Sequence, residues 1–514
     1  MKYYYNLGLF FEDIATQFNN NIAIKYQNEK YTYAQLNEKA NAFANFLIEQ
    51  KIGQGDVLAI INTKEFDSLA LMVACLKIGT AYVNIDIDSP ASRVKKTFQQ
   101  CNPKIVFFDK ESKDIRRVCD ELNIKHYFLY DGLPRVIGKF DTINLDIVPK
   151  VDGSTIAYIM FTSGSTGIPK GVAITHQNVI HLINWSISFY KVNHNDVFTN
   201  VSPLYFDNSV FDFYSALFSG ASLVPVKKEL LTEPLQLLKM IDELKCTIWF
   251  SVPSLLIYLM TMKALNTNNF KTIRIIAFGG EGYPKSELVK LYNLYKKRIK
   301  FVNVYGPTEC TCICSAYLIQ ENDFNELIGL PPLGELNQNF NYMIIDDNGE
   351  ENSEGELCLL GPNVGAGYYN NQEKTREVFI EIDHGRFYLK KMYKTGDIVK
   401  EINGVLYFVG RKDNQIKHLG YRIELEEIET ALNIIEDINQ AAVIYQRVNP
   451  SFGKIIAFIA TKKDIDQNYI EEELKKELPL YMLPNKIKIL TSLPKNPNGK
   501  VDKKTLLDNM EQKR

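Results

Sequence analysis

Residues 162–172, TSGSTGIPKGV, constrain this chain more than any other stretch. They gather Thr162, Ser163, Ser165, Thr166, the glycines Gly164, Gly167 and Gly171, and Lys170, directly after the apolar run 154–161. The apolar run reads as a buried strand. A Gly/Ser/Thr loop leaving such a strand can turn successive N–H groups and hydroxyls toward one point, which makes a concave anion site. Lys170 adds a full positive charge, and glycine permits positive φ or close backbone approach to a ligand. The ligand that suits such a site is a polyphosphate. The common P-loop spacing is not met, because Pro169 stands where the second glycine belongs and Gly171 follows the lysine. A flexible surface loop is the bland alternative; the apolar flanks and Pro169 weigh against it.

The residues before the loop alternate between two patterns. Residues 22–26, 57–61, 82–85 and 104–108 read as strands, and 32–50, 66–79 and 89–100 as helices, with Thr32 an N-cap. Such alternation predicts βαβ units and parallel sheets. A chain of 514 residues exceeds a single core, so two or more lobes are expected. Hydrophobic content of 46% with 23% charged residues fits a globular protein, and a net charge of −2 offers nothing to nucleic acid or an anionic membrane. The first residues, MKYYYNLGLFFED, lack the apolar core of a signal peptide. The most apolar window, 247–262, is broken by Pro253 and is too short to span a bilayer. Eight cysteines at this length do not form a secreted disulfide framework, so a cytoplasmic location is expected.

Beyond the loop, residues 176–190 read as a helix. His176, His181 and His194 lack a paired carboxylate or nucleophile and read as packed or surface histidines. In FDNSVFD at 206–212, Asp207 lies among aromatic and apolar residues, where an unpaired acid is costly to bury; it caps a helix or awaits a cation. IRIIAFGGE at 273–281 is a strand ending in Gly279-Gly280, where a backbone could approach a nucleotide base. A strand at 301–305 runs into GPTE; a Gly-Pro turn accounts for Gly306 and Pro307 but not for Tyr305 and Glu309.

Residues 327–408 are β-rich with glycine turns, suggesting a smaller barrel-like subdomain. Within it YKTGD at 393–397 carries Asp397, a carboxylate able to accept from two hydroxyls at once; a hairpin turn at Thr395-Gly396 is the plain alternative. GRKDNQIKHLGYRIELEEIE at 410–429 leads into an amphipathic helix near Glu424, and LPKNPNGK at 493–500 is a loop carrying Lys500, by default a surface lysine. Cys310, Cys312 and Cys314 share one face if their segment is a strand. Without a Cys-x-x-Cys or a partnered His, strand packing or pocket lining is favoured over a soft-metal site.

Seven separated motifs in this order resemble those of the adenylate-forming superfamily: acyl-CoA synthetases, luciferases and the adenylation domains of nonribosomal peptide synthesis. Whole-chain character is closest to the stand-alone D-alanine–carrier protein ligases and similar single-module activators. The resemblance implies an α/β fold with a large N-terminal lobe of βαβ-type sheets plus the β-rich subdomain over residues 1–412. A small mobile α/β lobe over 413–514 would hinge at Asp413. It implies ATP bound by Thr162, Ser163, Gly164, Ser165, Thr166, Gly167 and Lys170, with Gly280 and Glu281 also at the nucleotide. Tyr305 would stack on adenine, Thr308 touch the α-phosphate, Asp397 hold the ribose and Arg411 reach the nucleotide. Glu309 would hold Mg2+, which takes hard oxygen ligands, usually one or two carboxylates with phosphate oxygens. Lys500 would bridge the substrate carboxylate and the α-phosphate, and the Gly420 loop would face an incoming thiol after the small lobe rotates.

By the same resemblance the substrate pocket is Asp207, Asn208, Phe211, Ser251, Ala277, Gly279, Val304, Cys312 and Ile313, with Lys500. Asp207 would hold an α-ammonium, which implies an amino acid, and the uncharged remainder implies a small or medium uncharged side chain. D-alanine ligases typically place a cysteine where Gly279 aligns, which leaves room here for a larger side chain or the other enantiomer. The expected reaction is attack of the carboxylate on the α-phosphorus of Mg·ATP with loss of pyrophosphate. Transfer follows, to the phosphopantetheine thiol of a separate carrier protein, or second to coenzyme A. The rivals are a fatty- or aryl-acid CoA ligase of the same fold, which has no ammonium for Asp207 to hold, and a non-catalytic nucleotide or adenylate sensor.

Overall fold

A computed structural model describes residues 2–338, 340–383, 389–449, 452–461, 463, 465–495 and 501–511. The chain divides into two compact units: Met1–Ile87, Cys101–Met160 and Gly171–Lys412 in one, and Asp88–Gln100, Phe161–Lys170 and Asp413–Arg514 in the other.

The larger unit is built on two mainly parallel sheets and one antiparallel sheet. A seven-stranded sheet runs Gly367–Tyr368, Lys170–Thr175, Ile156–Thr162, Ala81–Ile85, Val57–Ile61, Ile105–Phe108, Lys125–Phe128. A nine-stranded sheet has the parallel strands Lys300–Tyr305, Ile275–Gly279, Ile248–Ser251, Val197–Asn200, Ser222–Pro225 and Ile22–Lys25 at its centre. The strands are continuous apolar runs because both faces are covered: Val57–Ile61 and Ile275–Gly279 are buried along their whole length. Leu69, Leu71, Val73 and Leu76 of the helix Phe66–Ile78 pack into the first core, and Gly79 ends that helix in the left-handed conformation. The helix at 32–50 is present as Tyr33–Glu49, its start pinned by a reciprocal Thr32–Gln35 capping box.

The β-rich region forms a five-stranded antiparallel sheet organised by one long strand, Leu389–Ile402, which pairs with Glu354–Leu360, Phe379–Asp383 and Val405–Arg411. Thr395-Gly396 is not a hairpin turn. Opposite Leu357 the strand bulges over Thr395–Asp397 with Gly396 at φ +71°, so the strand continues while Asp397 is re-aimed.

In the second unit, Gln440–Asn449 and Phe452–Ala460 pair antiparallel and Lys486–Leu490 adds a parallel strand. Ile428 and Leu432 of the helix Leu425–Asn433, with Ile470 and Leu474 of Gln467–Glu477, close a core over Val443, Ile455 and Ile459. Among the described residues no helix is long and apolar enough to cross a membrane.

Candidate active site

In open parallel sheets ligands collect beyond the carboxyl ends of the strands. In the nine-stranded sheet those ends are Ser251, Gly279 and Tyr305, side by side, with Ala277 paired to Val302 and Gly279 to Val304. The 206–212 motif opens the helix Asn208–Leu217. Asp207 occupies the N-cap position, but its side chain makes no capping hydrogen bond; instead Thr308 Oγ1 donates to Asp207 Oδ2 at 2.6 Å. The acid therefore points toward the 305–309 motif rather than along its own helix.

That motif is held from a second direction by the β-rich sheet. Tyr305 donates its phenolic O–H to Asp397 Oδ2 at 2.6 Å, and Arg411 Nη1 donates to Asp397 Oδ1 at 2.8 Å and to the Thr395 carbonyl at 2.9 Å. Asp397 is buried, and burial beside its carboxylate pushes the Tyr305 phenol well above the ordinary range, so the phenol stays protonated as the donor. Each oxygen of Asp397 retains a second lone pair for a ligand hydroxyl. Glu309 is fully buried, and Tyr368 donates to its Oε1 at 2.8 Å. A buried, oriented carboxylate is a hard oxygen donor of the kind Mg2+ takes when phosphate oxygens complete its shell.

The pocket residues carried over by resemblance lie around this corner. Phe211 is fully buried, edge-on to Tyr190 and Phe250, and packs as part of the core. Ser251 Oγ accepts from Trp249 Nε1 at 2.8 Å and donates to the Val252 carbonyl at 3.1 Å, so its hydroxyl is spent on protein. Ala277, Val304 and Ile313 are buried and apolar. Gly279 is required: a Cβ there would lie 2.5 Å from the Val304 carbonyl oxygen and 2.7 Å from Val304 Cγ2. Gly280 has φ +87°. Glu281 Oε1 accepts from the Ser254 N–H at 2.6 Å, at the start of the helix Pro253–Thr261.

Cys310, Cys312 and Cys314 do not lie on a strand. Thr308–Cys310 is a turn of 3-10 helix, Thr311 and Cys312 have positive φ, and the next strand starts at Ser315. The chain coils back here because Thr311 Oγ1 is tied to the Asn363 carbonyl and the Cys314 N–H to the Tyr305 carbonyl. Burial, with the Asp207 and Asp212 carboxylates near, pushes the Cys312 thiol well up, so it stays neutral. Among the described residues no group of three or more His, Cys, Asp or Glu is arranged to hold a metal ion.

In the second unit the glycine loop turns between Gly164 and Gly167, whose N–H donates to the Gly164 carbonyl at 2.9 Å with φ +74° at Gly167. A Cβ at Gly164 would sit 2.0 Å from the Ile168 carbonyl oxygen. Its anion-seeking groups meet carboxylates: the Gly164 N–H donates to Glu427 Oε2 at 3.2 Å, and Lys170 Nζ lies 3.5 Å from Glu424 Oε1. Glu427 is paired with Arg93, and Ser163 Oγ donates to the Arg422 carbonyl at 2.9 Å. Thr162 Oγ1 is buried without a hydrogen-bond partner among the described residues. Ser165 and Thr166 are exposed on the turn. Asp413 begins the last segment of this unit, and Gly420, at φ +82°, follows Leu419 at φ +53° in the two-residue turn joining Gln415–His418 to Tyr421–Glu424. Lys500 lies outside the described residues.

Sequence reading missed Tyr368, the partner of Glu309, and Glu424 and Glu427, the partners of the loop. Tyr368 stands in a two-residue strand paired with Val172, a contact across nearly two hundred residues that no local pattern announces. His176, by contrast, is the packed histidine expected: fully buried, its Nδ1 accepts from the Leu7 N–H at 3.0 Å.

Comparison with known proteins agrees with these motifs. The pattern of the AMP-binding enzymes matches residues 11–369, and that of the AMP-binding enzyme C-terminal domain residues 427–500. The chain is 34% identical over 502 residues to bacitracin synthase 1 of Bacillus licheniformis; the match covers 96% of this chain but 9% of that protein. It is 30% identical over 508 residues to a D-alanine–D-alanyl carrier protein ligase of Bacillus mycoides, covering 96% of this chain and 98% of the relative. Among solved structures, the Vibrio cholerae adenylation domain AlmE, in complex with glycyl-adenosine-5'-phosphate, superposes with a TM-score of 0.83 at 23% identity, covering 100% of this chain and 99% of that one.

Proposed function

Since the chain belongs to the AMP-binding enzymes of the adenylate-forming superfamily, we propose that it activates an amino acid as the aminoacyl-adenylate, releasing pyrophosphate from ATP, and passes the acyl group to a carrier-protein thiol. The observation that carries the amino-acid reading is the Thr308–Asp207 hydrogen bond, which holds a carboxylate at the strand-end corner where an α-ammonium needs a counter-charge. The relatives point the same way: one curated protein matched end to end is named as a ligase of an amino acid to a carrier protein.

In this reading little covalent work falls to the protein; it positions reactants and neutralises developing charge. Asp207 fixes the ammonium. Tyr305, oriented by Asp397, packs against the base, and Asp397 and Arg411 orient the ribose. The N–H groups and hydroxyls of residues 162–167, with Lys170, take the β- and γ-phosphates once Glu424 and Glu427 give them up. Mg2+ held at Glu309 would supply charge neutralisation on the phosphates. Lys500, carried by a mobile domain of residues 413–514 hinged at Asp413, bridges carboxylate and α-phosphate, and Gly420 lines the approach of the thiol. The acceptor is a phosphopantetheinylated carrier acting in trans, with coenzyme A as the alternative thiol, and the reaction takes place in the cytoplasm.

The test is ATP–pyrophosphate exchange over D- and L-amino acids with fatty and aryl acids included, followed by product analysis with holo-carrier or coenzyme A as acceptor. Exchange with amino acids and loss of it in Lys500→Ala support the reading. Exchange with fatty or aryl acids alone turns the protein into a CoA ligase of the same fold, and binding of ATP without exchange for any acid turns it into a sensor.

A further inference from the structure

The seven-stranded sheet reaches across to the segment that leads into Asp207. Residues 201–207 run irregularly from the end of the strand Val197–Asn200 to the helix Asn208–Leu217. Side chains from the strand ends of the other sheet hold this approach by its carbonyls. Lys64 Nζ donates to the Asn200 carbonyl at 2.6 Å and lies 3.4 Å from that of Val201, and Asn84 Nδ2 donates to the Leu204 carbonyl at 3.2 Å. Asn62 joins the two: its Nδ2 donates to Asn84 Oδ1 at 2.9 Å, and its Oδ1 accepts from the Lys64 N–H at 2.9 Å. The contacts form one continuous brace between the sheets.

Lys64 is unfavourable at this place by both backbone and side chain. Its φ of +70° is left-handed, a conformation that costs any residue with a Cβ. Lys64 is only 5% exposed, and burial pushes its ammonium down to about 7 while the Asp212 carboxylate works the other way. Neighbours impose the strain: Tyr26 donates to the Lys64 carbonyl at 2.8 Å, and Asp109 Oδ2 accepts from the Thr63 N–H at 2.7 Å. Asn200 Nδ2 donates to Asp212 Oδ2 at 3.3 Å, so one residue meets the lysine through its carbonyl and the acid through its side chain. Stability alone is a weak reason for such a residue, since apolar side chains of similar volume often replace a buried charge pair without loss. Strained backbone of this kind clusters where a site needs its geometry fixed.

Resting on the amino-acid reading above, we propose that Lys64, acting with Asn84, is a positioning residue for the amino-acid substrate: by holding the carbonyls of residues 200, 201 and 204 it fixes the backbone from which Asp207 projects. Thr308 sets the direction of the Asp207 carboxylate, and the brace sets where that carboxylate starts. Tyr305, Glu309, Asp397 and Arg411 lie on other elements, so the brace bears on the amino acid and not on ATP. Misplacing a binding contact by about 1 Å can cost about a hundredfold in rate.

The test measures pyrophosphate exchange with the preferred amino acid, and ATP affinity by calorimetry, in the full chain. Lys64→Met keeps the bulk of the side chain and removes the donor. It should raise KM for the amino acid by about tenfold or more and leave the Kd for ATP within about twofold. Lys64→Met also leaves Asp212 without its counter-charge, so its thermal midpoint should fall. In Lys64→Met/Asp212→Asn the charges balance again, and the midpoint should recover while the amino-acid KM stays raised. Asn84→Ala, at a half-buried position, should raise the same KM to a smaller degree. Should Lys64→Met not fold, the paired variant and Asn84→Ala carry the comparison. A KM that recovers together with the midpoint in the paired variant overturns the proposal and leaves Lys64 a stability residue. Equal losses of amino-acid and ATP binding overturn it too, as does a wild-type KM in both Lys64→Met and Asn84→Ala. Wild-type exchange confined to fatty or aryl acids removes the amino-acid reading itself, a result that depends on no variant.

Discussion

Thr308 Oγ1 donates to Asp207 Oδ2 at 2.6 Å, joining the motif assigned to the α-phosphate to the acid assigned to the α-ammonium. The two residues lie about a hundred positions apart in the chain, on a strand-end turn and a helix start, and one hydrogen bond fixes both. Removing the carboxylate leaves a substrate ammonium without its partner, a loss of about 2–5 kcal/mol for a buried charge pair. Asp207→Ala is therefore expected to raise KM for the amino acid steeply while ATP binding persists. Thr308→Val, which keeps shape and removes the donor, should cost about 1 kcal/mol through Asp207 alone, plus whatever it contributes at the phosphate. An unchanged amino-acid KM in Asp207→Ala would remove the ammonium assignment.

Asp397 joins Arg411 and Tyr305 in a largely buried set. Breaking a buried pair by deleting one partner strands the other and costs about 3–5 kcal/mol, an upper range here because Arg411 keeps some solvent contact. Asp397→Ala should lower the urea midpoint and raise KM for ATP, and Asp397→Asn, which still accepts a hydrogen bond, should do less of both. A midpoint and an ATP KM that both match wild type would dissolve the proposed network.

His176 makes acid stability a measurable quantity. Burial drives its imidazole down to about 3 from an ordinary 6.5, so between those values the unfolded chain binds a proton that the folded chain refuses. Stability is then fully present above pH 6.5 and falls as pH drops toward 3, by about 4 kcal/mol from this residue. His176→Asn keeps an acceptor for the Leu7 N–H but does not titrate, so its stability profile should be flatter across that window. Parallel wild-type and variant slopes in urea unfolding at pH 4–7 would assign the acid sensitivity elsewhere.

Gly279 and Val304 are register partners, and the missing Cβ at 279 is what allows the strands to meet. Gly279→Cys should overpack the site by about 1–3 kcal/mol and depress exchange activity. Adding Val304→Ala relieves the contact with Cγ2 but not that with the carbonyl oxygen, so recovery of thermal stability should be partial. Full activity in Gly279→Cys alone would mean the strand end is more pliant than its contacts indicate.

The alternation of strands and helices, the capped helix at Thr32, the helix from His176 to Tyr190 and the β-rich region were legible because each depends on local periodicity, capping or turn chemistry. At Thr395-Gly396 and across Cys310, Cys312 and Cys314 the sequence left two conformations open, because the local signals fit either and a distant partner chooses between them. Leu357 makes Thr395–Asp397 a bulge, and Asn363 with Tyr305 coils the cysteine segment.

What the order of residues determined by itself was the kind of chemistry, since glycine spacing, a lone lysine and isolated carboxylates in apolar settings are costly unless a ligand answers them. What only tertiary structure decided was which groups remain available to that ligand. Asp207 and Ser251 look equally polar in sequence, yet Trp249 and the Val252 carbonyl take up the Ser251 hydroxyl, while Thr308 aims the Asp207 carboxylate at the strand-end corner. Hydrogen-bond satisfaction belongs to pairs of residues far apart in the chain, and it exists only once the fold has brought them together.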